Sequence, residues 1–435
     1  MHFKITPSRV GDGTVTVPGD KSISHRALML GGIAEGRSDV SGFLAGEDCL
    51  CTMAAMRSMG VAIDQPEATE VSIQGAGLYG LKAAATEIDL GNSGTAMRLM
   101  TGLLSGQSFD SVLIGDESLS GRPMGRIIKP LTQMGARIGS SDGTPPMRIS
   151  GGGKLRGIDY EMPVASAQVK SSILLAGLYA QGATSVSEPA VTRDHTERML
   201  RAMGASVQTD GHRISVDGGQ HLDACRVKVP ADLSSAAFVI LAALLSDGAD
   251  VLISEVGVNP TRTGVIDILL GMGADIVIEN PRMSGQEPVA DLRVRASKLL
   301  GGKVDPALVS LAIDEFPVLF VAAAAASGET VFSGIGELRV KESDRISAMA
   351  EGMRTLGIRV DESADGAVVH GGRFCGGIVD SFGDHRVAMS LAIAGTIASD
   401  TVVVRDVEAV DTSFPGFANC LAAIGAEISS EEAGS

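Results

Sequence analysis

Cations and hydroxyl side chains are concentrated at the start of an otherwise apolar segment near residue 20. In GDKSISHRALML (19–30), Lys21, Ser22 and Arg26 lie within six positions, and the chain then stays mostly apolar through Ile33. A helix that begins in this way offers an anion its unpaired backbone N–H groups, the positive end of its dipole and its cations. The segment therefore predicts a binding site for phosphate or carboxylate groups at the start of a buried helix.

Five further segments share this arrangement of a small or polar start followed by an apolar run. They begin at Gly91, Ala165, Ala231, Asp314 and Gly383. A second marker also recurs six times, at 56–63, 131–138, 200–207, 269–276, 353–360 and 421–428. In this marker a glycine separates a helical pattern from β-branched residues, which predicts a helix that ends and a strand that follows. Two markers in phase predict six repeats of roughly 65 to 85 residues.

The repeats mix helices with short strands, which favours an α/β fold. The first helix of each repeat is apolar nearly all round, so we expect it to be buried rather than laid on a sheet surface. Six repeats are too many for a single core, so two groups of three are expected, with helices inside and sheets outside. Buried helices whose first turns meet at one cleft would collect the polar residues there. These residues are Lys21, Ser22, Arg26, Asn92, Ser93, Gly94, Arg98, Ser166, Gln168, Asp314, Glu315, Asp384, His385 and Arg386.

Helix capping is the alternative explanation for these polar residues. Capping suffices for Asp232 and Ser234, but it does not explain Lys21 and Arg26, whose charges need partners. Two other stretches stay open between a structural and a functional role. RVKESDR (339–345) is either a solvated helix start or part of a site. Arg122, which precedes a proline, is either a turn residue or an anion ligand.

Composition excludes several classes of function. The net charge of −16 and a pI of about 4.9 argue against nucleic-acid or anionic-membrane partners. The five Cys and seven His lack the spacing of a zinc site or a disulfide framework. The N-terminus lacks a signal-peptide pattern, and apolar stretches such as 316–326 look too short to span a bilayer. These features predict a reduced, soluble, cytoplasmic protein.

Two apparent motifs are interpreted as structural. GAGLYG (75–80) matches G-x-G-x-x-G, but a short segment without helical length follows it, so we expect a turn of the repeat. His195 in TRDHTERML is interpreted as part of an N-terminal helix cap, in which Asp194 and Glu197 suit the helix dipole, and not as a catalytic base.

Six motifs together resemble those of the 5-enolpyruvylshikimate-3-phosphate synthase family. They are GDKSISHRA, LGNSGTAMRL, SGRPM, SAQVKSS, RVKESDR and GDHR, within a similarity that runs from residue 18 to 416. The resemblance implies the two-domain enolpyruvyl transferase fold, with six βαβαββ-type repeats, three in each domain. It places a discontinuous domain at 1–19 plus 231–435, an inserted domain at 20–230 and the active site in the cleft between them.

The resemblance also implies a reaction of the shikimate pathway, which leads to chorismate and the aromatic amino acids. The enolpyruvyl group of phosphoenolpyruvate moves to the 5-hydroxyl of shikimate 3-phosphate, and phosphate leaves after a tetrahedral intermediate. It implies a monomer that needs no metal or organic cofactor and is a target of the inhibitor glyphosate. The rival UDP-N-acetylglucosamine enolpyruvyl transferases typically carry a Cys in the loop that reads IGDESLSGRP here. A non-catalytic scaffold that binds phosphorylated ligands is the second alternative, which the joint presence of Lys21, Asp314, Glu342 and Arg386 disfavours.

Site residues follow from the resemblance motif by motif. Lys21, Asp314 and Glu342 are the expected catalytic residues, with Asp314 accepting the hydroxyl proton and Glu342 handling the methylene proton. The shikimate 3-phosphate ligands are expected to be Lys21, Ser22, Arg26, Ser166, Gln168, Arg193, Asp314 and Lys341. The phosphoenolpyruvate ligands are expected to be Lys21, Gly94, Arg122, Gln168, Arg345 and Arg386. The chain departs from the enterobacterial pattern at Ala167, where that pattern has a serine, and it has no lysine before Phe414. Gly94 predicts sensitivity to glyphosate, because it leaves room beside phosphoenolpyruvate.

Overall fold

A computed structural model describes residues 1–432 of the chain. The helices are α1 (Lys21–Ile33), α2 (Glu47–Ser58), α3 (Gly94–Ser105), α4 (Glu117–Ser120), α5 (Gly125–Gln133), α6 (Ala167–Gly177), α7 (His195–Ala202), α8 (Leu233–Leu245), α9 (Gly264–Gly271), α10 (Val309–Ala312), α11 (Phe316–Ala325), α12 (Arg345–Thr355), α13 (His385–Thr396) and α14 (Phe417–Ala422). The strands are β1 (His2–Thr6), β2 (Gly13–Val15), β3 (Glu35–Ser41), β4 (Ala62–Glu67), β5 (Glu70–Ala76), β6 (Ile88–Asp89), β7 (Ser111–Ile114), β8 (Arg137–Ser141), β9 (Thr144–Ser150), β10 (Asp159–Glu161), β11 (Ala183–Ser187), β12 (Val207–Asp210), β13 (Arg213–Asp217), β14 (Arg226–Lys228), β15 (Asp250–Gly257), β16 (Asp275–Ser284), β17 (Glu287–Arg295), β18 (Glu329–Ser333), β19 (Val360–Ser363), β20 (Gly366–His370), β21 (Gly377–Asp380), β22 (Val402–Arg405) and β23 (Glu427–Glu431).

The described chain divides into two compact units. The terminal unit comprises Met1–Pro18, Pro230–Met283 and the described part of Pro288–Ser435. The inserted unit comprises Gly19–Val229 and the short segment Ser284–Glu287. Each unit has its own hydrophobic core.

Three four-stranded sheets of one design form the inserted unit. Their strand orders are β14-β3-β5-β4, β6-β7-β9-β8 and β10-β11-β13-β12. In each sheet the first pair is parallel and the next two pairs are antiparallel. The same pairing three times in succession shows that the unit is a threefold repeat.

The terminal unit also contains three sheets. Their orders are β21-β22-β1-β23, β16-β17-β15-β2 and β18-β20-β19. The three-stranded sheet has isolated parallel bridges from Leu300 to Ser327 and from Lys303 to Val331, where the other sheets carry their parallel strand. Six sheets of related design, three in each unit, confirm the predicted six-repeat α/β architecture.

The first helix of each repeat lies in a core. In the inserted unit, α3 packs against α6 and α1, and eleven of the thirteen residues of α1 are buried. In the terminal unit, α8, α11 and α13 pack against one another. Small side chains such as Ala and Gly allow this close approach, as in Ala322, Ala323 and Ala324 of α11, which are all 0% exposed. Apolar sequence all round a helix therefore does correspond to burial here.

The second marker forms the predicted helix-to-strand turn in all six repeats. The glycines Gly60, Gly135, Gly204, Gly273, Gly357 and Gly425 have φ between 85° and 105°. This left-handed conformation is open to glycine at little cost and closed to most other residues, so it explains why glycine recurs there. The first two residues of GAGLYG (75–80) end β5, and the rest form a turn rather than a helix, as the sequence predicts.

One helical run in the terminal unit is longer than its sequence predicts. Pro306–Ala325 extends over 20 residues and is apolar enough, by length and composition, to cross a membrane. The apolar stretch 316–326 covers only the last part of this run. Two short 3-10 helices, Pro306–Leu308 and Ile313–Glu315, and α10 make up the part before α11. Within the run, 61% of the apolar 18-residue window is buried inside the protein, and α11 belongs to the core of the terminal unit.

Candidate active site

Arg345 is the centre of a charged cluster in the terminal unit. It is the first residue of α12, and its side chain is 2% exposed. Its Nε lies 2.7 Å from Asp384 Oδ2, and its Nη2 lies 2.6 Å from Glu342 Oε2. Its Nη1 lies 3.5 Å from Asp314 Oδ1, which also pairs with Lys341 Nζ at 3.2 Å. The stretch RVKESDR therefore contributes Lys341, Glu342 and Arg345 to an ionic network around a buried guanidinium, and it is not only a solvated helix start.

Charge pairing outweighs burial in this cluster. Burial alone would lower the pKa of Arg345, but Asp384, Glu342 and Asp314 raise that pKa above its usual range. Burial alone would raise the pKa of Asp384, yet the charge of Arg345 holds it below its usual value. Both groups stay ionised at neutral pH, because each compensates the cost of burying the other.

Arg386 joins the cluster from the start of α13. Asp384 is the N-cap of this helix, and its Oδ1 accepts a hydrogen bond from the Arg386 backbone N–H at 2.8 Å. The guanidinium donates to the Asp314 carbonyl oxygen at 2.8 Å and to Glu315 Oε1 at 3.4 Å. The structure thus brings together the five predicted site residues of this unit: Asp314, Lys341, Glu342, Arg345 and Arg386.

Arg26 is held differently, in the inserted unit. It donates from Nε to Thr196 Oγ1 at 2.7 Å and from Nη2 to Ser171 Oγ at 2.8 Å. Its Nη1 donates to the Ser22 carbonyl oxygen at 2.9 Å. All three acceptors are neutral. Burial lowers the pKa of Arg26 to about 10, and the charge of Glu197 opposes this shift most strongly. The group keeps its proton at neutral pH and with it a positive charge available to a ligand.

Lys21 precedes Arg26 on the same helix and forms an ion pair with Asp48 of α2. The Lys21 side chain is 19% exposed, so a ligand could still reach its ammonium group. Ser22 and Lys21 open α1, and Asp20 caps this helix by accepting a hydrogen bond from the Ile23 N–H at 2.8 Å. The opening motif therefore places two cations within the first two turns of one buried helix.

His25 has a structural environment. Its Nδ1 lies 2.8 Å from Thr52 Oγ1, and its Nε2 lies 3.4 Å from Ser93 Oγ. The Thr52 hydroxyl donates to the Asp48 carbonyl oxygen at 3.2 Å, so it accepts from Nδ1–H of His25. Burial, followed by the charge of Lys21, lowers the pKa of His25 well below 6.5. A neutral imidazole thus joins α1 to α2 and to the N-cap of α3.

Gly94 lies at the first turn of α3, between two arginines. Arg98 Nη1 donates to the Gly94 carbonyl oxygen at 3.3 Å and to Gln168 Oε1 at 2.8 Å. A Cβ atom at Gly94 would lie 2.8 Å from Arg98 Nη1 and 3.2 Å from Arg122 Nη1. Arg122 is 6% exposed, and its Nη2 donates to Ser118 Oγ at 3.1 Å. Its guanidinium is buried beside Gly94, and a ligand role for Arg122 stays a prediction.

The remaining predicted residues of this unit are Ser166, Gln168 and Arg193. Ser166 is the N-cap of α6, where its Oγ accepts from the Val169 N–H at 3.4 Å. Gln168 follows in the first turn and donates to Thr95 Oγ1 at 2.9 Å. Arg193 is partly exposed. Burial is the main cause of the lowered pKa of Arg26, and the positive charge of Arg193 lowers that pKa further. The inserted unit therefore brings its predicted anion ligands to the starts of α1, α3 and α6 and to the segment before α7.

Three residues have roles that the sequence does not predict. His195 is buried, with Nδ1 2.8 Å from Glu287 Oε1, so it is not simply part of a cap. Asp194 makes no capping hydrogen bond and instead pairs with Arg198 at 2.8 Å. Glu197 pairs with Lys170 at 2.8 Å rather than serving only the helix dipole.

Asp232 and Ser234 are more than caps. Asp232 caps α8, but Arg262 Nη2 lies 3.0 Å from its Oδ1 and 2.6 Å from Ser234 Oγ. Ser234 also donates to Glu315. The local sequence shows no cation near this cap, because Arg262 lies 30 positions after Asp232 in the chain. Ser171, Thr196 and Asp48, which hold Arg26 and Lys21, are missed for the same reason.

Comparisons with known proteins identify the family to which the chain is similar. The family model of EPSP synthase (3-phosphoshikimate 1-carboxyvinyltransferase) matches residues 5–421. A 3-phosphoshikimate 1-carboxyvinyltransferase of Methylococcus capsulatus is 57% identical over 98% of both chains. One of Alkalilimnicola ehrlichii is 56% identical over 96% of this chain and 94% of its own. An EPSP synthase structure from Acinetobacter baumannii, 52% identical, superposes with a TM-score of 0.88 over 99% of this chain and 100% of its own.

Proposed function

The chain belongs to the EPSP synthase (3-phosphoshikimate 1-carboxyvinyltransferase) family, and from this membership we propose that it transfers the enolpyruvyl group of phosphoenolpyruvate to the 5-hydroxyl of shikimate 3-phosphate. Phosphate is the second product. The C–O bond of phosphoenolpyruvate breaks, so the reaction is an addition followed by an elimination and not a phosphoryl transfer.

The observation that carries this proposal is the pairing of carboxylates with cations in the Arg345 cluster. Asp314 and Glu342 are 16% and 24% exposed, whereas Asp384 is 0% exposed. A substrate could reach the first two carboxylates but not the third. We assign Asp314 to accept the 5-hydroxyl proton and Glu342 to handle the methylene proton, while Asp384 orients Arg345.

Anion binding is the second part of the proposal. Two substrates carry two phosphates and a carboxylate between them, and guanidinium groups can bind such oxyanions bidentately. We assign Lys21, Ser22, Arg26, Ser166, Gln168, Arg193, Asp314 and Lys341 to shikimate 3-phosphate. Lys21, Gly94, Arg122, Gln168, Arg345 and Arg386 are assigned to phosphoenolpyruvate. Lys21 would serve both ligands and assist the departing phosphate.

The predicted division into two domains, 1–19 plus 231–435 and 20–230, is part of this proposal. Both clusters would act on the same pair of substrates. The hydrogen-bond partners described for Arg26 lie in one unit and those of Arg345 in the other, both within a single chain, which supports a monomeric enzyme. Five free thiols support the cytoplasm as its compartment, and the charge of −16 supports small-molecule rather than nucleic-acid partners.

A phosphate-release assay tests the proposed function. The protein is incubated with phosphoenolpyruvate and either shikimate 3-phosphate or UDP-N-acetylglucosamine, without added metal. We expect release with shikimate 3-phosphate alone, together with the enolpyruvyl ether as a product in mass spectrometry. Release only with the UDP-sugar would assign the protein to the rival acceptor, and binding of both substrates without release would indicate a scaffold.

A further inference from the structure

Lys170 is a buried cation that none of the assigned substrate contacts uses. It lies in the second turn of α6, within the motif SAQVKSS, and its side chain is 1% exposed. Its Nζ lies 2.8 Å from Glu197 Oε1 and 3.2 Å from Glu188 Oε2, and it donates to the Thr192 carbonyl oxygen at 3.3 Å. A lysine is rarely buried without a specific partner, and this one has two.

Glu188 fixes the segment that leads to Arg193. It accepts hydrogen bonds from the Thr192 backbone N–H at 3.2 Å and from the Thr192 hydroxyl at 2.6 Å. Lys170 binds the carbonyl oxygen of the same residue. The backbone N–H, the carbonyl oxygen and the hydroxyl of Thr192 are thus all hydrogen-bonded to Lys170 or Glu188, and Arg193 is the next residue in the chain.

Glu197 connects the same lysine to Arg26. Neither Glu197 oxygen has a further hydrogen-bond donor among residues 1–432, so Lys170 is its close charge partner there. Glu197 follows Thr196 in α7, and Lys170 precedes Ser171 in α6. Thr196 and Ser171 are the hydroxyls that hold the Arg26 guanidinium. The ion pair therefore joins the two backbone segments that carry the acceptors of Arg26.

Lys170, Glu188 and Glu197 together carry one net negative charge, and Glu197 acts on Arg26 along with Asp20 and Glu287. Arg26 itself contacts only neutral acceptors, so its charge is compensated at a distance. An anion bound at Arg26 then meets a guanidinium that is fixed in place but not covered by a carboxylate.

We propose that Lys170, with Glu188 and Glu197, is a positioning residue that holds Arg26 and the Thr192–Arg193 segment for the phosphate of shikimate 3-phosphate. The inference rests on the proposed function and deepens it. It predicts a specific kinetic signature, because the network holds the segments that carry the acceptors of Arg26 and precede Arg193, and both arginines are assigned to shikimate 3-phosphate alone. Loss of the Lys170 network should weaken binding of one substrate and spare that of the other.

The experiment compares Lys170→Met, Lys170→Arg and Glu188→Gln with the matched control Lys154→Met. Lys154 is an exposed lysine of the same unit with no assigned role. The Michaelis constants for both substrates and kcat are measured by phosphate release. Calorimetry gives the Kd of shikimate 3-phosphate alone, and thermal unfolding reports the integrity of each variant.

For Glu188→Gln we expect the KM and Kd of shikimate 3-phosphate to rise about ten-fold, since loss of a group that orients a ligand commonly has effects of that order. The KM of phosphoenolpyruvate should change by less than about two-fold, and Lys154→Met should resemble the wild type. Lys170→Arg keeps the charge and should recover most of the affinity that Lys170→Met loses.

If Lys170→Met does not fold, Glu188→Gln and Lys170→Arg decide the question, because each keeps a polar group of similar size. Equal increases in both KM values, or unchanged values in a folded Glu188→Gln variant, would overturn the positioning role. Wild-type protein that forms no enolpyruvyl ether would instead overturn the proposed function, and this inference with it. The wild-type assay thus separates the two failures.

Discussion

Arg26 in the inserted unit and Arg345 in the terminal unit are both buried near helix starts, yet their partners differ in charge. Arg26 donates to two hydroxyls and a carbonyl oxygen, whereas Arg345 pairs with three carboxylates. Accordingly the pKa of Arg26 is lowered by its burial to about 10. For Arg345 the carboxylates, led by Asp384, outweigh the same effect of burial and raise the pKa.

The difference assigns different chemistry to the two units. Neutral acceptors do not neutralise the positive charge of a cation, so this charge can attract a bound phosphate dianion. A cation surrounded by carboxylates has little net charge left, but it fixes those carboxylates in place for proton transfer. We propose on this basis that the Arg26 cluster chiefly binds shikimate 3-phosphate, whereas the Arg345 cluster supplies the carboxylates for proton transfer.

Glu342→Gln and Ser22→Ala test this division most directly. We expect Glu342→Gln to lower kcat by about 10²- to 10⁴-fold with smaller changes in KM, because a proton-transfer group is lost. Ser22→Ala should raise the KM of shikimate 3-phosphate by about ten-fold and change kcat less. Steady-state kinetics with each substrate varied in turn measure both effects. A Glu342→Gln variant defective only in KM would break the comparison.

Arg345→Met and Arg26→Met compare the two arginines by stability. Removal of Arg345 leaves Asp384 and its carboxylate neighbours uncompensated, so the free energy of unfolding should fall by about 3–5 kcal/mol. Removal of Arg26 leaves Ser171 and Thr196, whose hydroxyls already lie 2.8 Å apart and can satisfy each other. That loss should be about 1–3 kcal/mol.

Urea unfolding at neutral and at acidic pH measures both losses. The deficit of Arg345→Met should shrink as the pH falls, because protonation removes the repulsion between carboxylates. The deficit of Arg26→Met should depend less on the same change in pH. An equal or larger loss for Arg26→Met at neutral pH would show that neutral acceptors and carboxylates stabilise these cations alike.

His25 predicts a pH dependence that belongs to the inserted unit. Its folded pKa lies well below 6.5, so the unfolded chain takes up a proton that the folded protein excludes. The contribution to stability is therefore complete above about pH 6.5 and decreases, by up to about 1.4 kcal/mol per pH unit, as the pH falls below it. Denaturant unfolding at several pH values should show a smaller slope for His25→Asn. Parallel curves for the variant and the wild type would contradict a buried neutral imidazole.

Gly94→Ala should have the smallest effect on the enzyme itself. The new methyl group would press on the ends of two flexible arginines, Arg98 and Arg122, and not on backbone. We expect the inhibition constant of glyphosate to rise by about ten-fold and the KM of phosphoenolpyruvate to rise less, because the inhibitor is longer. Gly125→Ala, where a Cβ meets nothing within 4 Å, is the control. An unchanged inhibition constant would reject the steric explanation.

The sequence predicts those features that depend on local pattern. Helix starts, the six glycine turns and the burial of α1 and α11 follow from residues next to one another in the chain. The motifs of the family resemblance likewise indicate Asp314, Glu342 and Arg345 as site residues, and the structure brings these three side chains together.

Partners that come from distant segments could not be predicted in this way. Arg262 reaches Asp232 across 30 positions, and Thr196 reaches Arg26 across 170. Nothing in either local stretch specifies the other, since the contact depends on how helices pack. For the same reason Glu197 looks like a favourable charge at a helix start, while its actual partner is a lysine of another helix.

The first strand of the chain bears on how the protein is made. β1 pairs with β22 and with β23, so its neighbours are residues 402–405 and 427–431. The three sheets of the inserted unit, by contrast, use only residues between 35 and 228. During synthesis these three sheets can form while the ribosome is still translating the residues after 228. Strand β1 stays without these partners until residues 402–431 have been translated, and only then can the terminal unit complete this sheet.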